Sequence, residues 1–104
     1  MIIGYARTST TDQQAGLDAQ VRDLTAAGAE RVFSEQVSSV AERAQLDEAL
    51  RFVRTGDALI CTKPDRLARS TRNLLDIAEE LQRRGVTLKI LSMGDMGNAA
   101  TPIG

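Results

Sequence analysis

A chain of 104 residues is long enough for one domain with a single hydrophobic core. It has 42% hydrophobic residues but no apolar run near the ~18 residues that a membrane-spanning helix needs, which excludes such a helix. The net charge of −1 argues against a generally basic nucleic-acid surface, and the absence of histidine excludes a Ser-His-Asp triad and histidine-containing metal sites.

Strand and helix patterns alternate along the chain. The first helix carries Leu17, Val21 and Leu24 on one face, and the last carries Leu74, Leu75, Ala78 and Leu81. Such alternation predicts βα units with parallel strands in a covered sheet. Strands are predicted at residues 1–7, 31–34, 58–62 and 86–91, and helices at 18–27, 45–54 and 71–84.

Two polar clusters follow predicted strands. Arg7 and Ser9 stand at the end of the first strand, and residues 63–69 follow the third with several cations and one carboxylate. In an open α/β sheet the carboxyl ends of the strands are where ligands bind. Arginine binds phosphate through a bidentate fork. The two clusters therefore suggest a serine nucleophile that faces a phosphate.

Simpler interpretations remain open for several of these residues. Ser9 could begin a turn or cap the next helix, and Asp65 could also be a helix cap. Arg43 stands beside Glu42 and could form a surface ion pair. Arg66 and Arg69 are spaced as neighbours on a helical turn. An ordinary salt-bridged surface would interleave more acidic residues, so for these two arginines the active site is the favoured interpretation.

Cofactor signatures are missing from the sequence. No glycine-rich dinucleotide or phosphate loop follows a strand, and no D-x-D pair stands out for magnesium, so neither a cofactor nor a metal is predicted. The one cysteine, Cys61, lies in an apolar strand and is expected to be a small buried residue. A cytoplasmic location fits a chain with this cysteine content and no signal peptide.

Four motifs resemble the catalytic domain of the serine recombinases, the resolvase/invertase family. They occur in the family's order and cover nearly the whole chain: Y-A-R-T-S at residues 5–9, L-D-A-Q at 17–20, E-R-A-Q-L at 42–46 and D-R-L-A-R at 65–69. The resemblance implies a three-layer α/β fold in which helices cover both faces of a mostly parallel sheet of four or five strands.

The resemblance also implies a mechanism. Ser9 would attack a DNA phosphodiester and become linked to the 5′-phosphate, and strands would be rejoined without ATP or a metal ion. The arginines would surround the phosphate and Asp65 would orient one of them, while three further residues are predicted to bind substrate. The predicted catalytic set is Ser9, Arg7, Asp65, Arg66, Arg69 and Arg43, and the predicted substrate-binding set is Gln20, Ser38 and Tyr5.

The family also implies partners. Its members continue into a long dimerisation helix and a DNA-binding domain, so residues 1–92 are predicted to be the catalytic domain and 93–104 a flexible tail. DNA binding and assembly into a dimer or tetramer are expected of the full-length protein, with no membrane contact, and the domain alone is expected to be inactive. Two alternatives are an inactive association module and a small α/β phosphate-binding protein or phosphatase.

Overall fold

The computed structural model describes residues 1–9, 14–37, 44–68 and 70–92. Strands and helices alternate through these residues, as the sequence pattern predicts, except that two helices instead of one separate the last two strands. In chain order the elements are β1 (Ile2–Ser9), α1 (Gln14–Ala26), β2 (Arg31–Val37), α2 (Ala44–Phe52), β3 (Ala58–Cys61), α3 (Pro64–Leu67), α4 (Thr71–Arg83) and β4 (Thr87–Ile90).

The strands form one parallel sheet in the order β2-β1-β3-β4. From β1 the chain moves in one direction to β2, and then returns across β1 to β3 and β4. Because crossovers between parallel strands are right-handed, this reversal puts α1 on one face of the sheet and α2 and α4 on the other. The predicted three-layer α/β fold is confirmed, with four strands among the described residues.

Each face of the sheet has its own hydrophobic core. On one face Leu17 and Leu24 of α1 pack with Ala6 and Ile60. Gly4 permits this close approach, since a Cβ atom there would lie 3.2 Å from Val32 Cγ2 and 3.3 Å from Leu24. The larger core on the opposite face is built from Ile3, Tyr5, Phe33, Leu46, Ala49, Val53, Leu59, Cys61, Leu67, Ala68, Leu74, Ile77, Leu81, Val86, Leu88 and Ile90.

Some element bounds differ from the sequence-based prediction. α1 begins at Gln14 rather than at residue 18, and β2 continues to Val37 rather than ending at residue 34. Parallel pairing with β1 extends β2, because the register continues through Arg7↔Glu35 to Ser9↔Val37. Polar side chains after residue 34 obscured this strand in the sequence.

The last helix is found where the sequence predicts it, but its buried face is different. Leu75 was assigned to the apolar stripe, yet 54% of it is exposed, and Ile77 is buried instead. Helical geometry explains the correction, because positions 74, 77 and 81 share one face and position 75 is turned about 100° from 74. None of the described helices has the length and apolar character needed to cross a membrane.

Candidate active site

The carboxyl ends of β1 and β3 meet at the centre of the sheet. These strands are neighbours, and the chain leaves them towards opposite edges, which makes this the topological switch point where open α/β sheets bind ligands. Ser9 is the last residue of β1, and two residues separate the end of β3 at Cys61 from the start of α3 at Pro64. The two polar clusters of the sequence are thus brought to the same place.

Arg7 connects the two strand ends. Its side chain is buried, with 8% of the residue exposed, between β1 and α3. Arg7 Nε donates to the carbonyl oxygen of Arg66 at 3.3 Å, and Nη2 donates to the carbonyl oxygen of Asp65. An arginine has five N–H donors, and the docking of α3 uses two of those of Arg7.

Arg66 returns the contact. Its Nη1 donates to the carbonyl oxygen of Arg7 at 3.4 Å, and its side chain is 29% exposed. The two arginines therefore hold each other through backbone carbonyls, which orders one single-turn helix and one strand end together. A guanidinium that is partly exposed and partly anchored is suited to a substrate that arrives from solvent.

Asp65 makes a looser contact than the sequence suggests. Its carboxylate is 74% exposed and lies 4.0 Å from Arg66 Nε, a separation at which an exposed ion pair contributes little. The cap of α3 is Lys63, without a side-chain hydrogen bond, so Asp65 is not the cap that the sequence allowed. Among the described arginines, the closest contact of Asp65 is the one between its carbonyl oxygen and Arg7.

Gln20 contacts the backbone of Arg7 from the other face of the sheet. Its Oε1 accepts from the Arg7 N–H at 3.1 Å, and its Nε2 donates to the Arg7 carbonyl at 2.9 Å. Gln20 was predicted to bind substrate. The structure places its amide against β1, where both of its polar atoms bond to the protein.

Tyr5, also predicted to bind substrate, lies within the core. Its ring is fully buried, and its hydroxyl donates to Glu35 Oε2 at 2.5 Å. The Glu35 carboxylate also accepts from the backbone N–H groups of Gln45 and Leu46, each at 3.2 Å. A carboxylate at a helix N-terminus satisfies free N–H groups and complements the helix dipole. Tyr5 and Glu35 thus anchor the start of α2 to the sheet.

Glu35 was missed in the sequence. A carboxylate in a short polar stretch carries no obvious signal, but it stands two residues from Phe33, and alternation in a strand puts both on one face. Both are buried. The position of Glu35, two residues after a buried aromatic in the same strand, indicates its burial. The strand predicted from the sequence ends at residue 34 and therefore does not include Glu35.

Tyr5→Phe should destabilise the chain without enlarging any cavity. The substitution removes the hydroxyl that bonds to a buried carboxylate, and a hydrogen bond of this kind contributes about 2 kcal/mol. We expect the free energy of unfolding, measured by urea denaturation, to fall by about that amount. Thr55→Val is the control, because it removes an exposed hydroxyl that donates to the Arg84 carbonyl at 2.8 Å. Equal small losses in the two variants would contradict the anchoring role of Tyr5.

Four predicted site features lie outside the described residues. They are Ser38, Arg43, Arg69 and the side chain of Ser9. The β1 backbone includes Ser9, two residues after Arg7. The helix that carries Arg66 ends at Leu67, and Ala68 after it is extended.

Cys61 does not add a nucleophile to the site. It is fully buried, and burial, with a smaller contribution from Asp65, raises the pKa of its thiol to about 12. Since the thiolate is the reactive form, this side chain is inert at neutral pH. The described part of the chain contains no cluster of three histidine, cysteine, aspartate or glutamate residues that could hold a metal ion.

Comparisons with known proteins give the site its context. The profile of the family described as "Resolvase, N terminal domain" matches residues 2–104. The chain is 41% identical to the DNA-invertase of Escherichia phage P1 over an alignment of 105 residues, which covers all of this chain and 54% of that protein. It is 44% identical to the DNA-invertase hin of Salmonella typhimurium over 84 residues, covering 80% of this chain and 43% of that protein.

A solved structure agrees with the fold. The N-terminal catalytic domain of TP901-1 integrase superposes with a TM-score of 0.67 at 18% identity, covering 89% of this chain and 78% of that one. The chain spans about half the length of the invertases that it matches. The matching profile extends over nearly all of the sequence and includes every motif at the two strand ends. The chain belongs to the resolvase N-terminal domain family, that is, to the serine recombinase catalytic domains.

Proposed function

We propose that this chain is the catalytic domain of a site-specific DNA recombinase, with Ser9 as its nucleophile. The observation that carries the proposal is the mutual anchoring of Arg7 and Arg66 at the switch point of the sheet, beside the strand end that bears Ser9. Relatives that are 35–41% identical to the chain are named as a DNA-invertase, a serine recombinase of phage Mu and a transposon resolvase.

The chemistry is a phosphoryl transfer that conserves bond energy. A bond forms between Ser9 Oγ and the phosphorus of a DNA phosphodiester, and the bond from phosphorus to the 3′ oxygen breaks. The hydroxyl proton leaves Ser9 and a proton ends on the 3′ oxygen, so the products are a 5′-phosphoserine and a free 3′ hydroxyl. Attack of a 3′ hydroxyl on the phosphoserine reverses these steps, and rejoining therefore needs no ATP.

Arginines supply the stabilisation that this reaction needs. Charge develops on the phosphoryl oxygens in the transition state, and donors already oriented towards those oxygens lower the barrier. Two of the five N–H donors of Arg7 bond to α3, and Arg66 is partly exposed beside it. Arg43 and Arg69 complete the proposed phosphate-binding set, Ser38 is a proposed substrate contact, and Asp65 is proposed to orient one of the arginines.

DNA binding and oligomerisation involve more than the residues of the proposed active site. We propose that DNA is bound, and a dimer or tetramer assembled, by a protein that includes further segments like those of the relatives. We also propose that the catalytic domain ends at residue 92. The cytoplasmic location also stays a prediction.

A chimera provides the test. The chain would replace the matching residues of the phage P1 invertase, which are 41% identical to it, and the purified protein would be incubated with a nicked inversion site. We expect a covalent protein–DNA adduct that survives denaturation. A chimera that binds the site but forms no adduct, while the 104-residue chain hydrolyses small phosphate esters, would favour a phosphatase instead.

A further inference from the structure

Gln20 is a polar residue on the buried side of α1. It stands three residues after Leu17 and four before Leu24, both of which are buried against the sheet. These spacings put all three residues on one face of the helix. An amide in such a position destabilises the fold unless its polar atoms find partners.

Its partners both belong to Arg7. The N–H of Arg7 can only donate and its carbonyl can only accept, so the two bonds at 3.1 and 2.9 Å fix which end of the amide is oxygen. Pairing between β1 and β3 stops at Gly4. Beyond that point Gln20 supplies Arg7 with the pair of backbone hydrogen bonds that a neighbouring strand would otherwise supply.

The Arg7 carbonyl is the atom where the site converges. It accepts from Gln20 Nε2 and also from Arg66 Nη1 at 3.4 Å. Arg7 in turn reaches the carbonyl of Arg66 with its own guanidinium. Any shift of the Arg7 backbone therefore moves the carbonyl oxygen to which the Arg66 guanidinium donates. It also moves the backbone from which the Arg7 side chain extends.

We propose that Gln20 is a positioning residue for DNA cleavage: its amide bonds to both backbone groups of Arg7 and thereby fixes both guanidiniums at the phosphate. This inference rests on the proposed recombinase function. Gln20 itself touches no reacting atom. It acts through Arg7, two residues before the proposed nucleophile.

Two substitutions separate positioning from stability. Gln20→Met keeps the length of the side chain and removes both hydrogen bonds. Gln20→Glu keeps an acceptor for the Arg7 N–H but puts a carboxylate beside the oxygen that Arg66 contacts, so it draws the Arg66 guanidinium onto itself. Gln82→Met and Gln82→Glu are the matched controls, because Gln82 is exposed on α4, far along the chain from the site.

The readouts are the single-turnover rate of adduct formation at saturating DNA, the Kd for the inversion site and the Tm of the chain. We expect Gln20→Met to slow adduct formation about 100-fold, the cost of a misplacement near 1 Å, with Kd changed less than about threefold. Gln20→Glu should be at least as thermostable as Gln20→Met and yet cleave no faster. The two Gln82 variants should match the parent in rate and Tm.

The measured rates and Tm values distinguish a positioning role of Gln20 from a purely structural one. If the rates of the two Gln20 variants follow their Tm values, so that the more stable one cleaves faster, the role of Gln20 is only structural. A parental rate in Gln20→Met would overturn the proposal too. Failure of the recombinase function itself would look different, because the parent chimera would then form no adduct at Ser9 in the first place.

Discussion

Replacing Ser9 with alanine is expected to eliminate the covalent protein–DNA adduct. The substitution removes only the hydroxyl that would attack the phosphodiester, at the last residue of β1. Loss of a nucleophile costs about 10⁴-fold or more in rate. We therefore expect no detectable adduct in the chimera on a nicked inversion site, with the Kd for that site and the Tm of the chain unchanged.

Ser34→Ala is the matched control for this experiment. Ser34 lies on the neighbouring strand, in register with Ala6, and is exposed. It should form adduct at the parental rate. An undiminished adduct in the Ser9 variant would show that another group is the nucleophile, whatever the behaviour of the control.

Arg7→Lys is expected to damage both the reaction and the fold. Arg7 donates to two carbonyl oxygens of α3, and its guanidinium is also proposed to bind the phosphate. A lysine ammonium is a single point with three donors and cannot span both carbonyls and a phosphate. We expect adduct formation to slow by about 10²–10³-fold, the effect of losing one oriented donor, and the free energy of unfolding to fall by about 1–3 kcal/mol.

Arg72→Lys tests whether this effect is particular to Arg7. The Arg72 side chain is 87% exposed and pairs with Asp76 at 3.3 Å, an interaction that contributes at most about 1 kcal/mol. Its rate and stability should remain close to the parent values. If Arg7→Lys also stayed within about threefold of the parent rate, Arg7 could not be the residue that joins α3 to the phosphate site.

Much of the fold follows from patterns that are local in the sequence. The apolar periods of the helices and the glycine turns predict the alternation of strands and helices, and β1 and α4 are found within one or two residues of their predicted ends. Gly85 ends α4 as expected, because its φ of 77° suits glycine and a Cβ there would lie 2.8 Å from Thr55 Cγ2.

The errors arise where tertiary contacts outweigh local pattern. β2 extends through Glu35 because Tyr5 and the start of α2 satisfy its carboxylate, and those partners are distant in the sequence. In α4, Leu75 and Ile77 are equally apolar. Only the direction in which the helix faces the sheet decides which of them is buried.

The active site, like the fold, is predictable only where local sequence patterns determine it. Strand ends and arginine content indicate where a phosphate could bind. They do not indicate that the Arg7 guanidinium docks on carbonyl oxygens of Asp65 and Arg66, because every residue has a carbonyl and none has a sequence signature. For the same reason the bonds from Gln20 to the Arg7 backbone could not be predicted from residue types.

Mass spectrometry of the adduct tests the proposed nucleophile most directly. Trypsin cleaves after Arg7 and Arg22, so residues 8–22 form one peptide that contains Ser9 together with Thr8 and two further threonines. After nuclease digestion of the trapped DNA, fragmentation of this peptide should place a nucleotide on Ser9 through its 5′-phosphate. A nucleotide attached to a threonine of that peptide, to another peptide, or through a 3′-phosphate would contradict the proposed mechanism.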